Sequence, residues 1–106
     1  MFASQVIDGE GRFHLSYLQW ESPSSGVIKY ATRGPGETEW EILPVDTLDN
    51  LEFGFLGARN ITSVVVDSQG DPWIVYSHEK VLRLANWVGS GWRIESVVEV
   101  GAGTLG

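Results

Sequence analysis

Residues 61–92 read ITSVVVDSQGDPWIVYSHEKVLRLANWVGSGW. Thr62 to Val66 is β-branched throughout apart from Ser63, and that composition suits a short strand. Asp67-Ser68-Gln69-Gly70 follows as a tight turn. Its aspartate can accept hydrogen bonds from nearby backbone N–H groups, and its glycine can take the positive φ of a bulged hairpin. Trp73 to Tyr76 is a second strand, His78-Glu79-Lys80 a short turn, and Val81 to Trp87 a third strand. Gly89-Ser90-Gly91 turns the chain again into a last strand, Trp92 to Val100.

An earlier stretch repeats this order. Ala3 to Asp8 leans apolar, Gly9-Glu10-Gly11 turns, and Phe13 to Leu18 alternates with period two. After the loop ESPSSG (21–26) come Val27 to Thr32, the turn Arg33-Gly34-Pro35-Gly36-Glu37, and Trp40 to Val45, an edge strand on account of Pro44. Ser4, Asp8, Gly11, Leu15 and Tyr17 match Ser63, Asp67, Gly70, Ile74 and Tyr76 at a constant spacing of 59. Ile28 and Ala31 match Leu82 and Ala85 at 54, and Trp40 and Ile42 match Trp92 and Ile94 at 52. The spacing shrinks because the loops of the first copy are longer. The matches fall at turns and inward strand positions, as a duplication requires, so Asp8 and Asp67 read as turn caps. Repeat 1 covers about 3–46, a connection about 47–60, with one helical turn expected near Thr47 to Leu51, and repeat 2 about 61–100. The expected fold class is all-β: two four-stranded antiparallel units in one domain, residues 1–106.

Bulk properties narrow the function. The chain has 106 residues, no cysteine, 42% hydrophobic and 20% charged residues, and a net charge of −7. A core this small is thin and has no disulfide to support it. The charge argues against nucleic acid and against anionic membrane surfaces as partners. No apolar run approaches the roughly 20 residues of a membrane-spanning helix, and the N-terminus lacks the pattern of a signal peptide. The default location is cytoplasmic, or extracytoplasmic if the chain is a fragment of a longer protein.

Four short strands in about 40–50 residues is the unit of a propeller blade. The segment ITSVVVDSQGDPWIVYSHEKVLRL resembles the blade repeat of two-component-regulator-type propellers, in which Asp-x-x-Gly-x-x-Trp-hydrophobic is followed by a strand and a short turn. Trp87 to Trp92 (WVGSGW) is similar to the tryptophan–glycine hairpins of small two-blade lectin propellers. The first repeat departs from the pattern: His14 stands where the tryptophan is expected, and there is no WVGSGW equivalent. Two blades alone leave two apolar faces exposed, whereas repeats of this kind need about three or more units. The expectation is self-association head to tail into a closed ring. The lectin resemblance favours three chains over four. A fragment of a longer propeller, and a sandwich or barrel with an incidental repeat, are the alternatives.

The chemistry-bearing residues are sparse. His14 and His78 have no spaced partners for a metal site. Glu37, Glu39, Glu41, Glu95 and Glu99 alternate as a solvated strand face does, though paired carboxylates are also the requirement of glycoside hydrolysis. No nucleophile elbow or phosphate loop is present. The expectation is therefore a chain with no catalytic residues, metal or cofactor. The tryptophans are the better lead. Trp73, Trp87 and Trp92, with Arg83 and Tyr76, combine indole, guanidinium and phenol in one repeat, and form the candidate site for a carbohydrate or other small ligand. The alternative is a structural or protein-interaction module in which these tryptophans are core.

Overall fold

Eight strands follow one another with no helix among the described residues: β1 (Ala3–Ile7), β2 (Phe13–Ser22), β3 (Ser25–Arg33), β4 (Glu41–Leu48), β5 (Thr62–Val66), β6 (Pro72–His78), β7 (Val81–Trp87) and β8 (Trp92–Glu99). The computed structural model describes residues 3–22, 24–49, 62–78 and 81–99. Two antiparallel sheets result, β1-β2-β3-β4 and β5-β6-β7-β8, each a simple meander. Every sequence-expected strand is present. Thr47 and Leu48 end β4 rather than begin a helical turn, Asp49 follows outside any helix, and Asn50 and Leu51 lie outside the described residues. β4 is the edge of its sheet, where Pro44 leaves no ladder hydrogen bond unmade.

The repeat holds in the strand register as well as in the sequence. Leu15 pairs with Ala31 and Ala31 with Ile42; Ile74 pairs with Ala85 and Ala85 with Ile94. Each sheet also carries a bulge at the same place, between Ile28 and Lys29 against β4 and between Leu82 and Arg83 against β8. Residues 28 and 82 are equivalents at the spacing of 54. A bulge inserts one unpaired residue and bends its strand, so both sheets bend at one position.

Successive side chains on a strand point to opposite faces. Call the front the face that bears His14, Ser16 and Leu18 in the first sheet and their equivalents Trp73, Val75 and Ser77 in the second. The back then bears Phe13, Leu15 and Tyr17, and Pro72, Ile74 and Tyr76. Burial alternates out of step between the two sheets. In β2, His14, Ser16 and Leu18 are buried; in β6, Pro72, Ile74, Tyr76 and His78 are. The first sheet thus packs its front against the back of the second. The core collects Leu18, Ile28, Tyr30, Val45 and Leu48 from one sheet and Val64, Ile74, Tyr76 and Ala85 from the other.

Several polar groups at this junction are paired, as burial favours. The Val64 N–H donates to Ser4 Oγ at 3.2 Å and the Thr62 hydroxyl to Ser16 Oγ at 3.2 Å. Asp46 Oδ2 accepts from the Tyr76 hydroxyl at 2.6 Å and from Arg83 Nη1 at 3.2 Å. His78 Nε2 donates to the Asp49 carbonyl.

Candidate functional site

The two aspartate turns are superimposable in their bonding. Asp8 Oδ1 accepts from the N–H groups of Glu10 (2.9 Å) and Arg12 (3.0 Å), and Asp67 Oδ1 from those of Gln69 (2.9 Å) and Asp71 (3.0 Å). Gly11 and Gly70 take φ of 84° and 85°, a region costly for residues with a Cβ. The second carboxylate oxygen is used alike. Asp8 Oδ2 accepts from His14 Nε2 at 2.8 Å and Asp67 Oδ2 from Trp73 Nε1 at 2.9 Å. The first repeat's departure at His14 is therefore a replacement of one ring N–H donor by another. These bonds hold the carboxylates ionised: the His14 hydrogen bond, with the backbone N–H groups, takes Asp8 down to about 2, and the Trp73 bond lowers Asp67.

His14 differs from Trp73 in having a second nitrogen. Its Nδ1 lies 2.6 Å from the Tyr30 hydroxyl. A carboxylate only accepts, so Nε2 carries the proton, and in the neutral ring Nδ1 accepts from Tyr30. Desolvation at the sheet junction raises the Tyr30 phenol above its usual value, which keeps it a donor. This asymmetry predicts unequal effects of one substitution. Asp8→Asn turns an amide NH2 toward His14, and the ring can exchange tautomer so that Nε2 accepts and Nδ1–H donates to Tyr30. Asp67→Asn turns NH2 toward an indole N–H that has no alternative state. Thermal melts should show a larger loss of Tm for Asp67→Asn. The stability that Asp8 contributes is fully present above its ordinary value of 3.8 and is lost as pH falls toward about 2, so Asp8→Asn should also blunt acid unfolding in that window.

The five residues that the sequence proposed for a ligand, Trp73, Tyr76, Arg83, Trp87 and Trp92, are placed as follows. Tyr76 is 1% exposed and, with Arg83, is bonded to Asp46 at the junction. Desolvation, then Asp46, raises the Tyr76 phenol well above the ordinary range. Trp92 meets Tyr30 edge-on at 5.4 Å and Trp87 at 5.4 Å, and packs beside the core. Its Nε1 is buried without an acceptor among the described residues, so packing alone holds this indole. Trp87 is half-buried on the same side. Trp73 is half-buried on the front of the second sheet, away from the other four, with its N–H bonded to Asp67. The structure thus brings together Trp87 and Trp92, and separately Tyr76 and Arg83, but not all five.

A second constellation lies in the first repeat. Counted between the equivalent pairs Ala31–Ile42 and Ala85–Ile94, the connection from β3 to β4 is two residues longer than that from β7 to β8. It encloses an open depression of about 580 Å³ lined by Arg12, Thr32, Glu37, Trp40 and neighbouring glutamates. The Gly34 N–H donates to Glu37 Oε1 at 2.6 Å, Arg12 Nη1 donates to Thr32 Oγ1 at 3.2 Å, and Arg12 lies 4.0 Å from the Glu37 carboxylate. Trp40 is 39% exposed, and its ring is steadied by the Arg33 guanidinium 4.8 Å from the centroid and by Phe13 at 6.2 Å. An indole, a guanidinium and carboxylates therefore meet here, in the repeat where the sequence did not place them. The available signal was the length of the loop. Among the described residues no group of three or more His, Cys, Asp or Glu side chains is placed to hold a metal ion, and no helix is long and apolar enough to cross a membrane. Comparison with protein-family models, curated proteins and solved structures finds no match for this chain.

Proposed function

We propose that the chain is a non-enzymatic, self-assembling β-propeller module that takes up a carbohydrate or other small ligand. The observation that carries the reading is the packing of a front on a back. Two repeats joined front to back leave one back and one front open, and these are copies of the two surfaces already in contact within the chain. Val65 and Val97, on the open front, are 58% and 56% exposed, whereas their equivalents Val6 and Val45 pack at the junction. Contiguous apolar surface of this kind is unusual on a soluble monomer. A second chain covers it by the same operation, and a rotation that closes gives a ring. Three chains give six blades, the arrangement that resemblance to two-blade lectins favours.

Light scattering on the purified chain is the test. The expected result is a discrete particle of three chains; a single chain at high concentration overturns the assembly. For the ligand, the depression lined by Arg12, Thr32 and Glu37 supports a sugar subsite, in which Arg12 and the carboxylates bond hydroxyls. Glycan binding that Arg12→Ala lowers at least tenfold is the expected result; binding unchanged by Arg12→Ala moves the ligand elsewhere. The second reading, a purely structural or interaction module, is favoured by the commitment of Trp73, Tyr76 and Arg83 to structural carboxylates.

A further inference from the structure

The contacts inside the chain specify how a second copy attaches. We infer that two copies join through the back of the first sheet of one and the front of the second sheet of the other, with Gln5 against Ser63 and Trp40 against Leu84. This rests on the self-assembling reading above and assigns its residues and direction.

The assignment follows by carrying each observed contact across the repeat. Within the chain, the Val64 N–H donates to Ser4 Oγ. Val64 is equivalent to Gln5, and Ser4 to Ser63. Between copies the same bond runs from the Gln5 N–H of one to Ser63 Oγ of the other. Ser63 is the same residue type as Ser4, and it is exposed on the single chain, in a strand whose inward positions are Thr62 and Val64. Within the chain, Tyr30 meets Trp92 at 5.4 Å. Tyr30 is equivalent to Leu84 and Trp92 to Trp40, so an indole is again covered by a large side chain. Trp40 is half-exposed on the open back.

The remaining contacts change character. The hydroxyl pair Thr62 and Ser16 becomes Ala3 and Val75. The acceptor Asp46, which holds Tyr76 and Arg83, has no acidic counterpart in the second repeat, whose equivalent position in the sequence is Val98. Its two partners become Tyr17 and Lys29, which face each other across β2 and β3 as Tyr76 and Arg83 do across β6 and β7. The hydroxyl pair thus becomes an apolar contact between chains, and Tyr17 and Lys29 meet no carboxylate there. The physical logic is tethering. The two sheets of one chain meet at the high effective concentration of a linked pair. Separate chains meet only if the surface itself supplies the free energy, and apolar burial supplies it without geometric precision. The direction is also set: a front meets a back, never a front a front.

Complementation of half-blocked chains tests this. Val65→Glu with Val97→Glu blocks the open front, and Ala3→Glu with Leu15→Glu blocks the open back. Three of these four side chains are exposed on the single chain, and circular dichroism checks that both variants keep the sheet spectrum. Each variant alone is expected to be a single chain by light scattering. Mixed in equal amounts they are expected to form a particle of two chains and nothing larger, since one live front meets one live back. A variant that still self-associates alone overturns the assignment, as does failure to pair when the unmodified chain assembles. A single-chain unmodified protein overturns the underlying reading instead. An independent arm uses the absence of native cysteines. Gln5→Cys with Ser63→Cys is expected to give disulfide-linked multiples of the chain on a non-reducing gel at dilute concentration. These two side chains lie on opposite outer faces of one molecule, so a product that stays at the mass of one chain while the protein assembles also overturns the assignment. In the otherwise native chain, Ser63→Ala is expected to weaken association roughly fivefold, the value of one neutral hydrogen bond.

Discussion

Ile74→Ala is expected to lower the unfolding free energy by about 2–5 kcal/mol, the usual cost of emptying a closed core position of that size. Ile74 is 0% exposed and sits where the back of the second sheet meets the front of the first. Native stabilities run to about 5–15 kcal/mol, and small domains sit low in that range. The substitution therefore brings the chain close to unfolding at ambient temperature, and urea titration followed by tryptophan fluorescence should show the midpoint collapse. Leu15→Ala supplies the contrast. It deletes a side chain of equal size at the equivalent position, but on the open back of the first sheet, where Leu15 is only half-buried. In dilute, dissociated chains it should cost well under half as much. A cost equal to that of Ile74→Ala under those conditions contradicts the placement of the core on one side of the first sheet.

The second large effect is at Asp46. Asp46→Ala removes the shared acceptor of the Tyr76 hydroxyl and the Arg83 guanidinium, leaving a buried phenol without a partner. Loss of one partner of a buried hydrogen bond costs about 1–3 kcal/mol. Asp46 and Arg83 are 21% and 28% exposed, so solvent screens the ionic part and the phenol carries most of the loss. A double-mutant cycle isolates it. Tyr76→Phe alone should destabilise, and in the Asp46→Ala background it should be nearly neutral, since the orphaned hydroxyl goes with it. Equal effects of Tyr76→Phe in both backgrounds would show that the carboxylate and phenol do not act together.

These two sites mark the boundary between what the sequence made legible and what it did not. The pairing of Asp8 with Gly11 and of Asp67 with Gly70 was legible because turn chemistry is local: the carboxylate reaches N–H groups two and four residues on, and the glycine supplies its own φ. The strand order was legible because a period of two, punctuated by glycine, needs no partner to be recognised. Tyr76, Arg83 and Trp92 were legible only as chemistry. In sequence they make a sugar-binding set; in the structure Tyr76 and Arg83 converge on Asp46, a residue of the other repeat that breaks the repeat pattern. Such a contact joins positions 30 and 37 residues apart, and no spacing rule foretells it. The depression beside Trp40 was missed for a related reason. A two-residue extension of a turn reads as a tolerated insertion until the loop is seen to be tied down by Glu37 and Arg12.

By itself, then, the sequence determined the eight strands, their division into two equivalent sheets and the turns that join them, because each depends on neighbours in the chain. Which face of each sheet is core was decided only in three dimensions. Both faces of β2 and β6 carry apolar residues, so alternation alone does not say which side is buried. Packing chose the front of one sheet and the back of the other, and that choice left the complementary pair open.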